Sequence, residues 1–237
     1  MSWADSRMCC FDVETTSADA ETARVVAAAL ALVGGGRPTR TFTVLVDPGE
    51  EIPAAATAVH GITTERVQAE GTKPVEAMVG VADRLRDVWA RGIPVVGFNV
   101  AYDLTVLDRE LHRHLASRLE IAGSVVDPHV IDRALDRRTG PRNLAETCRY
   151  YKVRHDAAHE ATQDALAAGR LAWQLARRYP QEIGGRSLAD LHRQQVSWAQ
   201  EWADSLNAYW RSQGRSQSID GSWPLRPSGR PAKPPRS

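Results

Sequence analysis

The sequence predicts an α/β domain: a mixed sheet with helices on both faces, followed by a C-terminal helix and a flexible tail. Three observations lead there. Three short apolar segments separated by turn clusters open the chain. Strand and helix patterns then alternate, which requires right-handed crossovers and parallel pairing. An apolar fraction of 43% over 237 residues suffices for one core of ordinary domain size.

The elements follow in order. "RMCCFDV" and "RVVAAALALV" read as strands, "GGGRP" as a turn cluster, and "TRTFTVLV" as a third strand in which Phe42, Val44 and Val46 alternate with Thr41 and Thr43. Together they form an antiparallel meander. "TKPVEAMVGVADRLRDVWARG" opens with Pro74 and sets Val75, Val79, Ala82 and Leu85 at helical spacing before Gly92. "IPVVGFNV" is a short buried strand. "AYDLTVLDRELHRHL" is a helix with Leu104, Leu107, Leu111 and Leu115 on one face, and "GSVVDP" a strand stopped by Pro128. "NLAETCRYY" and "EATQDALAAGRLAWQLARRY" are further helices, the second with Ala165, Ala168, Ala172 and Leu175 as a packing face. The first domain closes there, at residues 1–180. Residues 181–213 form an extension whose helix, Leu188 to Trp210, carries Trp198, Trp202, Leu206 and Trp210 as a stripe for packing on the domain or for a partner. Residues 214–237, rich in Pro, Gly, Arg and Ser, read as the flexible tail.

Composition narrows the classes. The longest apolar run, "VVAAALALV", is far shorter than the roughly 18 residues of a membrane span, and "MSWADSRM" lacks a basic region followed by an apolar one. The expected location is cytoplasmic. Cys9, Cys10 and Cys148 show no C-x-x-C spacing, which points to reduced, buried thiols rather than a disulfide or zinc site. The net charge of +1 hides basic stretches at Arg133 to Arg154 and Arg211 to Ser237, suited to phosphates although charge runs are more often solvated faces.

The acids carry the chemistry. Asp12 and Glu14 stand two apart on a strand, whose side-chain period of two sends both carboxylates to one face, about 7 Å apart. Like charges so placed call for a cation between them, and an oxygen-only donor set suits Mg²⁺ or Mn²⁺. Two other D-x-E triplets serve as controls. Asp108 and Glu110 lie on a helix, where such side chains diverge, and Asp19 and Glu21 have no apolar frame. Asp103 follows "VVGFN", where a parallel strand gives way to a helix, and that carboxyl edge is where sites form in α/β sheets. Asp164 falls in the first turn of the "EATQDAL" helix, where the dipole favours an acid in any case, and His159 stands at or just before its start.

"FDVETT", "VVGFNVAYD" and "HEATQD", in this order, resemble the three exonuclease motifs of the DEDDh group of DnaQ-like 3′ to 5′ exonucleases. "VHGITTERV", "SVVDP" and "NLAETCRYYKV" resemble supporting stretches of the family, and the resemblance covers roughly Arg7 to Tyr179. Ser17 replaces a frequent Gly and Phe98 a common His; neither change removes a ligand. The resemblance implies an RNase H-like fold with a five-stranded mixed sheet and one antiparallel strand, residues 1–180 being the exonuclease domain. It further implies two Mg²⁺ or Mn²⁺ ions held by Asp12, Glu14, Asp103 and Asp164, with His159 as general base. Thr15 and Thr16 would receive the 3′-hydroxyl through backbone N–H groups, and His60 and Ile62 would line the pocket of the last base. Asn99 is read as fixing the Asp103 loop or touching substrate, and Asp127 as structural.

The function so implied is hydrolysis of phosphodiester bonds at 3′ ends of single-stranded DNA, or RNA, releasing nucleoside 5′-monophosphates, with proofreading or repair as the setting. A polymerase or other protein on the C-terminal helix is the expected partner. The alternatives are an RNA-trimming exoribonuclease and a non-catalytic nucleic-acid-binding module using the same cleft. A mononuclear zinc hydrolase, suggested by His155 and His159 at i, i+4, lacks the H-E-x-x-H order. Arg137, Arg138, Arg142 and Arg149 are expected to guide the substrate strand.

Overall fold

In the computed structural model, which describes residues 2–156 and 159–228, strand β1 (Arg7–Thr15) is the centre of the sheet. It pairs antiparallel with β2 (Val25–Gly34), which pairs antiparallel with β3 (Arg40–Leu45). On its other side β1 pairs parallel with β4 (Val95–Val96), and β4 with β5 (Val125–Val126). The order β3-β2-β1-β4-β5 makes a five-stranded mixed sheet in which β2 alone runs against the rest, as the sequence predicts.

The period of two in β1 divides the core. Cys9, Phe11 and Val13 face helices α3 (Pro74–Ala90) and α4 (Ala101–Leu115), whereas Met8 and Cys10 face α7 (Ala161–Arg178). The helices therefore lie on both faces, with α5 (Pro128–Leu135) and α6 (Leu144–Tyr151) on the α7 side. α5, like α1 (Ala54–His60) and α2 (Thr64–Glu70), is absent from the sequence reading. Two of these helices are only seven residues long, too short to show a helical period above the noise of their neighbours.

The buried face of α3 is rotated from the expected one. Val75 and Val79 are exposed, while Ala77, Met78, Val81, Ala82, Leu85, Val88 and Trp89 are buried. The helix offers more apolar positions than one face holds, so contact with the sheet selects among them. On α4, Leu104, Leu107 and Leu111 are buried, whereas Leu115, in the last turn, is largely exposed.

The C-terminal region corrects the expectation of a flexible tail. Helix α8 (Leu188–Ser212) packs on β5 and α5, and its side chains pair the open edge of β5. Gln195 accepts from the Asp127 N–H at 2.7 Å and donates to the Val125 carbonyl at 3.0 Å, and His192 Nδ1 accepts from the Val125 N–H at 3.1 Å. The chain then returns across the body. Asn207 exchanges two hydrogen bonds with Ile219, Arg109 Nη2 donates to the Arg226 and Pro227 carbonyls, and Trp223 is buried in the α3/α4 core. Proline-rich composition disfavours regular structure, but it does not prevent a segment from docking one tryptophan. The part of the tail beyond Ser228 lies outside the described residues. Among the described residues, no helix is long and apolar enough to cross a membrane.

Candidate active site

The site begins where β4 ends. β4 pairs with β1 only as far as Cys10, so the edge of β1 beyond it has no strand beside it. Asp103, in the first turn of α4, takes that place: its Oδ1 accepts from the Val13 N–H at 3.0 Å, and the residue is buried. The turn between β4 and α4 depends on Gly97, since a Cβ there would lie 2.8 Å from the Phe11 carbonyl, and on Asn99, which holds φ 60°. Asp127, directly after β5, fixes this turn. Its carboxylate accepts from the N–H groups of Asn99 at 2.9 Å, Val100 at 3.0 Å and His129 at 2.9 Å, and from Trp223 Nε1 at 3.3 Å. Asn99 thus shapes the Asp103 loop.

On the α7 face of β1, the row Met8, Cys10 continues into Asp12 and Glu14, so the last two members of an apolar row are acids. Helix α7 brings Asp164 to them. Its small residues Ala165, Ala168, Gly169 and Ala172 lie at the contact, and a Cβ on Gly169 would meet Cys10 Sγ at 2.4 Å. Asp12, Glu14 and Asp164 each offer a carboxylate oxygen, all within 4.8 Å of one another.

The electrostatics of this cluster are unsatisfied. Burial, then the Asp103, Glu14 and Asp164 carboxylates, push Asp12 well above the usual carboxylate range. Burial and Asp164 push Glu14 up to about 7. Burial pushes Asp103 up strongly, against the Val13 hydrogen bond that lowers it. Among the described residues, no Lys or Arg forms an ion pair with these four acids. The two control triplets behave in the opposite way. Asp108 accepts from Arg109 and Arg118 at 2.5 and 2.8 Å, Glu110 from Arg24 at 2.8 Å, and Glu21 from Arg109. Three converging carboxylates with no Lys or Arg paired to them and Asp103 close enough to raise Asp12, all offering oxygen, fit a hard divalent cation such as Mg²⁺ or Mn²⁺.

Two histidines approach Asp164 from the preceding segment. His155 Nε2 lies 2.6 Å from Asp164 Oδ1, and the His159 N–H donates to Asp164 Oδ2 at 3.3 Å. His159 is exposed, has φ 66°, and lies near enough to His60 to help lower that histidine's pKa. Neither histidine is in a helix, so their four-residue spacing does not align them as a zinc pair. The sequence reading missed the contact of His155 with Asp164, since loop geometry decides which of two histidines meets the acid.

A cleft of about 530 Å³ opens beside Glu14, lined in part by Thr15, Ala55, Val59, His60, Asn99 and Tyr102. Thr15 Oγ1 lies 2.5 Å from the Tyr102 hydroxyl. His60 Nδ1 accepts from the Ile62 N–H at 3.1 Å, while its Nε2 is buried without a hydrogen-bond partner. Burial chiefly lowers its pKa, and the Thr15 backbone opposes this. Two expectations are corrected. The Thr16 N–H donates to the Arg24 carbonyl at 3.0 Å, and its hydroxyl accepts from the Arg24 N–H at 3.0 Å, so Thr16 closes the β1–β2 hairpin and is not free for a 3′-hydroxyl. Ile62 is buried with Val26, Ile52 and Val67 rather than lining the cleft. Arg138 and Arg142 are also committed elsewhere, both binding the fully buried Asp132. Arg149 pairs with Glu146 on α6.

An RNase H-like sheet with a carboxylate centre at the carboxyl ends of its parallel strands defines a class of phosphoryl-transfer domain. Comparison with known proteins is consistent with this. The family model described as RNase T, exonuclease, matches residues 9–172. The chain belongs to this exonuclease family, of the DnaQ-like kind. Relatives include the PolC-type DNA polymerase III of Lacticaseibacillus paracasei, 28% identical over 77% of this chain, and that of Streptococcus pyogenes serotype M18, 28% identical over 79%. The aligned segment spans 12% of the length of either relative. E. coli Exonuclease I in complex with a dT13 oligonucleotide shares the fold at TM-score 0.60 and 18% identity, over 74% of this chain and 42% of that one. The Exonuclease I of Methylocaldum szegediense does so at TM-score 0.59 and 20% identity, over 74% and 41%.

Proposed function

We propose that the chain is a metal-dependent 3′ to 5′ exonuclease that removes nucleoside 5′-monophosphates from single-stranded DNA. The observation that carries this reading is the convergence of the Asp12, Glu14 and Asp164 oxygens within 4.8 Å, with no Lys or Arg paired to them among the described residues. Asp12, Glu14 and Asp164 would hold the divalent ions, two per site, with Asp103 beside them. When bound, such ions polarise the scissile phosphate and acidify the attacking water. Asp103, tied to the Val13 N–H, keeps the end of β1 in place against α4. An imidazole nitrogen of His159, exposed at the entry to α7, takes the water's proton. Water attacks phosphorus, the bond to the 3′-oxygen of the preceding nucleotide breaks, and that oxygen takes a proton from solvent and leaves as a hydroxyl. The cleft at Thr15, His60 and Tyr102 receives the terminal nucleoside.

Single-stranded DNA is favoured because Exonuclease I, of the same fold, is described in complex with DNA oligonucleotides. A proofreading setting draws on the polymerase relatives, and a protein partner would meet α8 at its exposed Val196 and Tyr209. The test is nuclease assay with Mg²⁺ or Mn²⁺ on matched DNA and RNA oligonucleotides, using Asp12→Ala and His159→Ala. Both variants should lose activity, and retention of full activity by either rules out this site. Equal degradation of RNA would widen the substrate class.

A further inference from the structure

A second cavity, of about 240 Å³, adjoins the terminal-nucleoside cleft at Asn99. Asn99 lines both. The walls of the second cavity come largely from the C-terminal region, which lies outside the 9–172 match to the exonuclease family. Two flat stacks contribute His129, Arg133 and Trp202 to its lining. Phe98 and His129 stack with ring centres 4.9 Å apart at 29°, directly beside Asn99. The Arg133 guanidinium lies 3.7 Å over the Trp202 ring of α8.

These groups share a chemistry. Burial, with the nearby arginines Arg133, Arg142 and Arg138, lowers His129 to about 3, so its ring is a neutral flat surface. Burial lowers Arg133 to about 10, which still leaves it charged at neutral pH. A guanidinium stacked on an indole presents a cationic plane of the kind that nucleobases stack against. Asp127 and Asp220 also line the cavity, which weighs against a phosphate there and for a base. Arg226 at the lining supplies positive charge for the backbone.

We infer that this cavity is a subsite for a base farther upstream than the nucleotide adjoining the scissile bond, in which His129, backed by Phe98, and the Arg133/Trp202 stack grip the single strand as it leaves the active site. The inference rests on the proposed exonuclease reading for its direction. It gives the C-terminal helix and the returning segment a role in substrate binding, because without them neither Trp202 nor the wall at Ile219 to Trp223 exists.

The test uses the full chain with Trp202→Leu, which keeps apolar volume but removes the π-face, and Arg133→Gln, each checked for a wild-type melting temperature. Binding of 5′-fluorescein dT8 is measured by anisotropy in Ca²⁺, and hydrolysis of unlabelled dT2 in Mn²⁺. Stacking of one base implies a loss of about tenfold in dT8 affinity for each variant, with dT2 hydrolysis unchanged. If Trp202→Leu does not fold, Arg133→Gln carries the same expectation. A dT8 affinity within about twofold of wild type in the folded variants, or no dT8 binding by the wild type, overturns the subsite. Failure of the exonuclease reading would show differently, as no hydrolysis of dT2 or dT8 by the wild type, while the binding arm still decides the subsite.

Discussion

Gly169 of α7 rests directly on Cys10 of β1: a Cβ at Gly169 would lie 2.4 Å from the Cys10 sulfur. Five residues before Gly169 the helix carries Asp164, and two residues after Cys10 the strand carries Asp12. The depth of this contact therefore sets how closely the acids of the two elements approach. Gly169→Ala gains up to about 1 kcal/mol of helix propensity but overpacks by about 1–3 kcal/mol. The expected result is a modest loss of stability with a larger loss of activity, as the helix backs away from the strand. Cys10→Ala removes the obstructing sulfur, so the double variant should recover both. A cycle of melting temperature and kcat tests this, and additive single effects would refute the contact argument.

The carboxylate cluster predicts an unusual pH dependence for the metal-free protein. Glu14 is raised from 4.5 to about 7 by burial and by Asp164, and Asp12 is raised as well, by burial and by its acidic neighbours. The folded state then holds protons that the unfolded chain has released, so stability falls as pH rises from about 4.5 through 7. A divalent cation replaces those protons. Added Mn²⁺ should raise the melting temperature strongly at pH 8 and little at pH 5, with EDTA reversing the gain. Equal shifts at both pH values would contradict the linkage.

Asp127 is expected to act through the backbone. Its carboxylate accepts from four donors and holds the Asn99–Val100 turn that starts α4. Asp127→Asn turns an N–H₂ toward donors, a loss of about 3 kcal/mol for charge-assisted bonds in a buried site. Activity should fall as well, since Asp103 follows that turn. Urea midpoints and kcat measured together check the point; a wild-type midpoint would show that the four bonds contribute nothing.

The two histidines near Asp164 should separate in kinetics. His159→Ala is expected to lower kcat by about 10²- to 10⁴-fold at saturating metal, as loss of a general base does. His155, 2.6 Å from Asp164 Oδ1, orients that ligand, so His155→Ala should weaken metal affinity by about 10- to 100-fold and leave kcat at saturating metal closer to wild type. Metal titrations of the two variants distinguish the roles, and an exchange of the two outcomes would reassign the base to His155.

The legible parts of this protein are those that depend on local spacing. Asp12 and Glu14 share a face because a strand has a period of two, and the same rule set aside Asp108 and Glu110, which the structure shows bound to separate arginines. The meander, the parallel half of the sheet and the helices α3, α4 and α7 follow from apolar periodicity, whereas α1 and α2, at seven residues each, show no such signal. The arginines near Asp132 looked free only because a sequence does not reveal a buried partner ten residues away.

By itself, then, the sequence determined the strand that carries the first two acids, the helices that carry Asp103 and Asp164, and the order in which these motifs occur. The tertiary structure decided which groups meet. It placed His155 against Asp164, engaged the Thr16 N–H in the β1–β2 hairpin, withdrew Ile62 from the cleft, and folded the proline-rich segment back to bury Trp223. Spacing along a chain fixes direction within one element, whereas contacts between elements depend on how closely backbones approach, and here that approach turns on single positions such as Gly97 and Gly169.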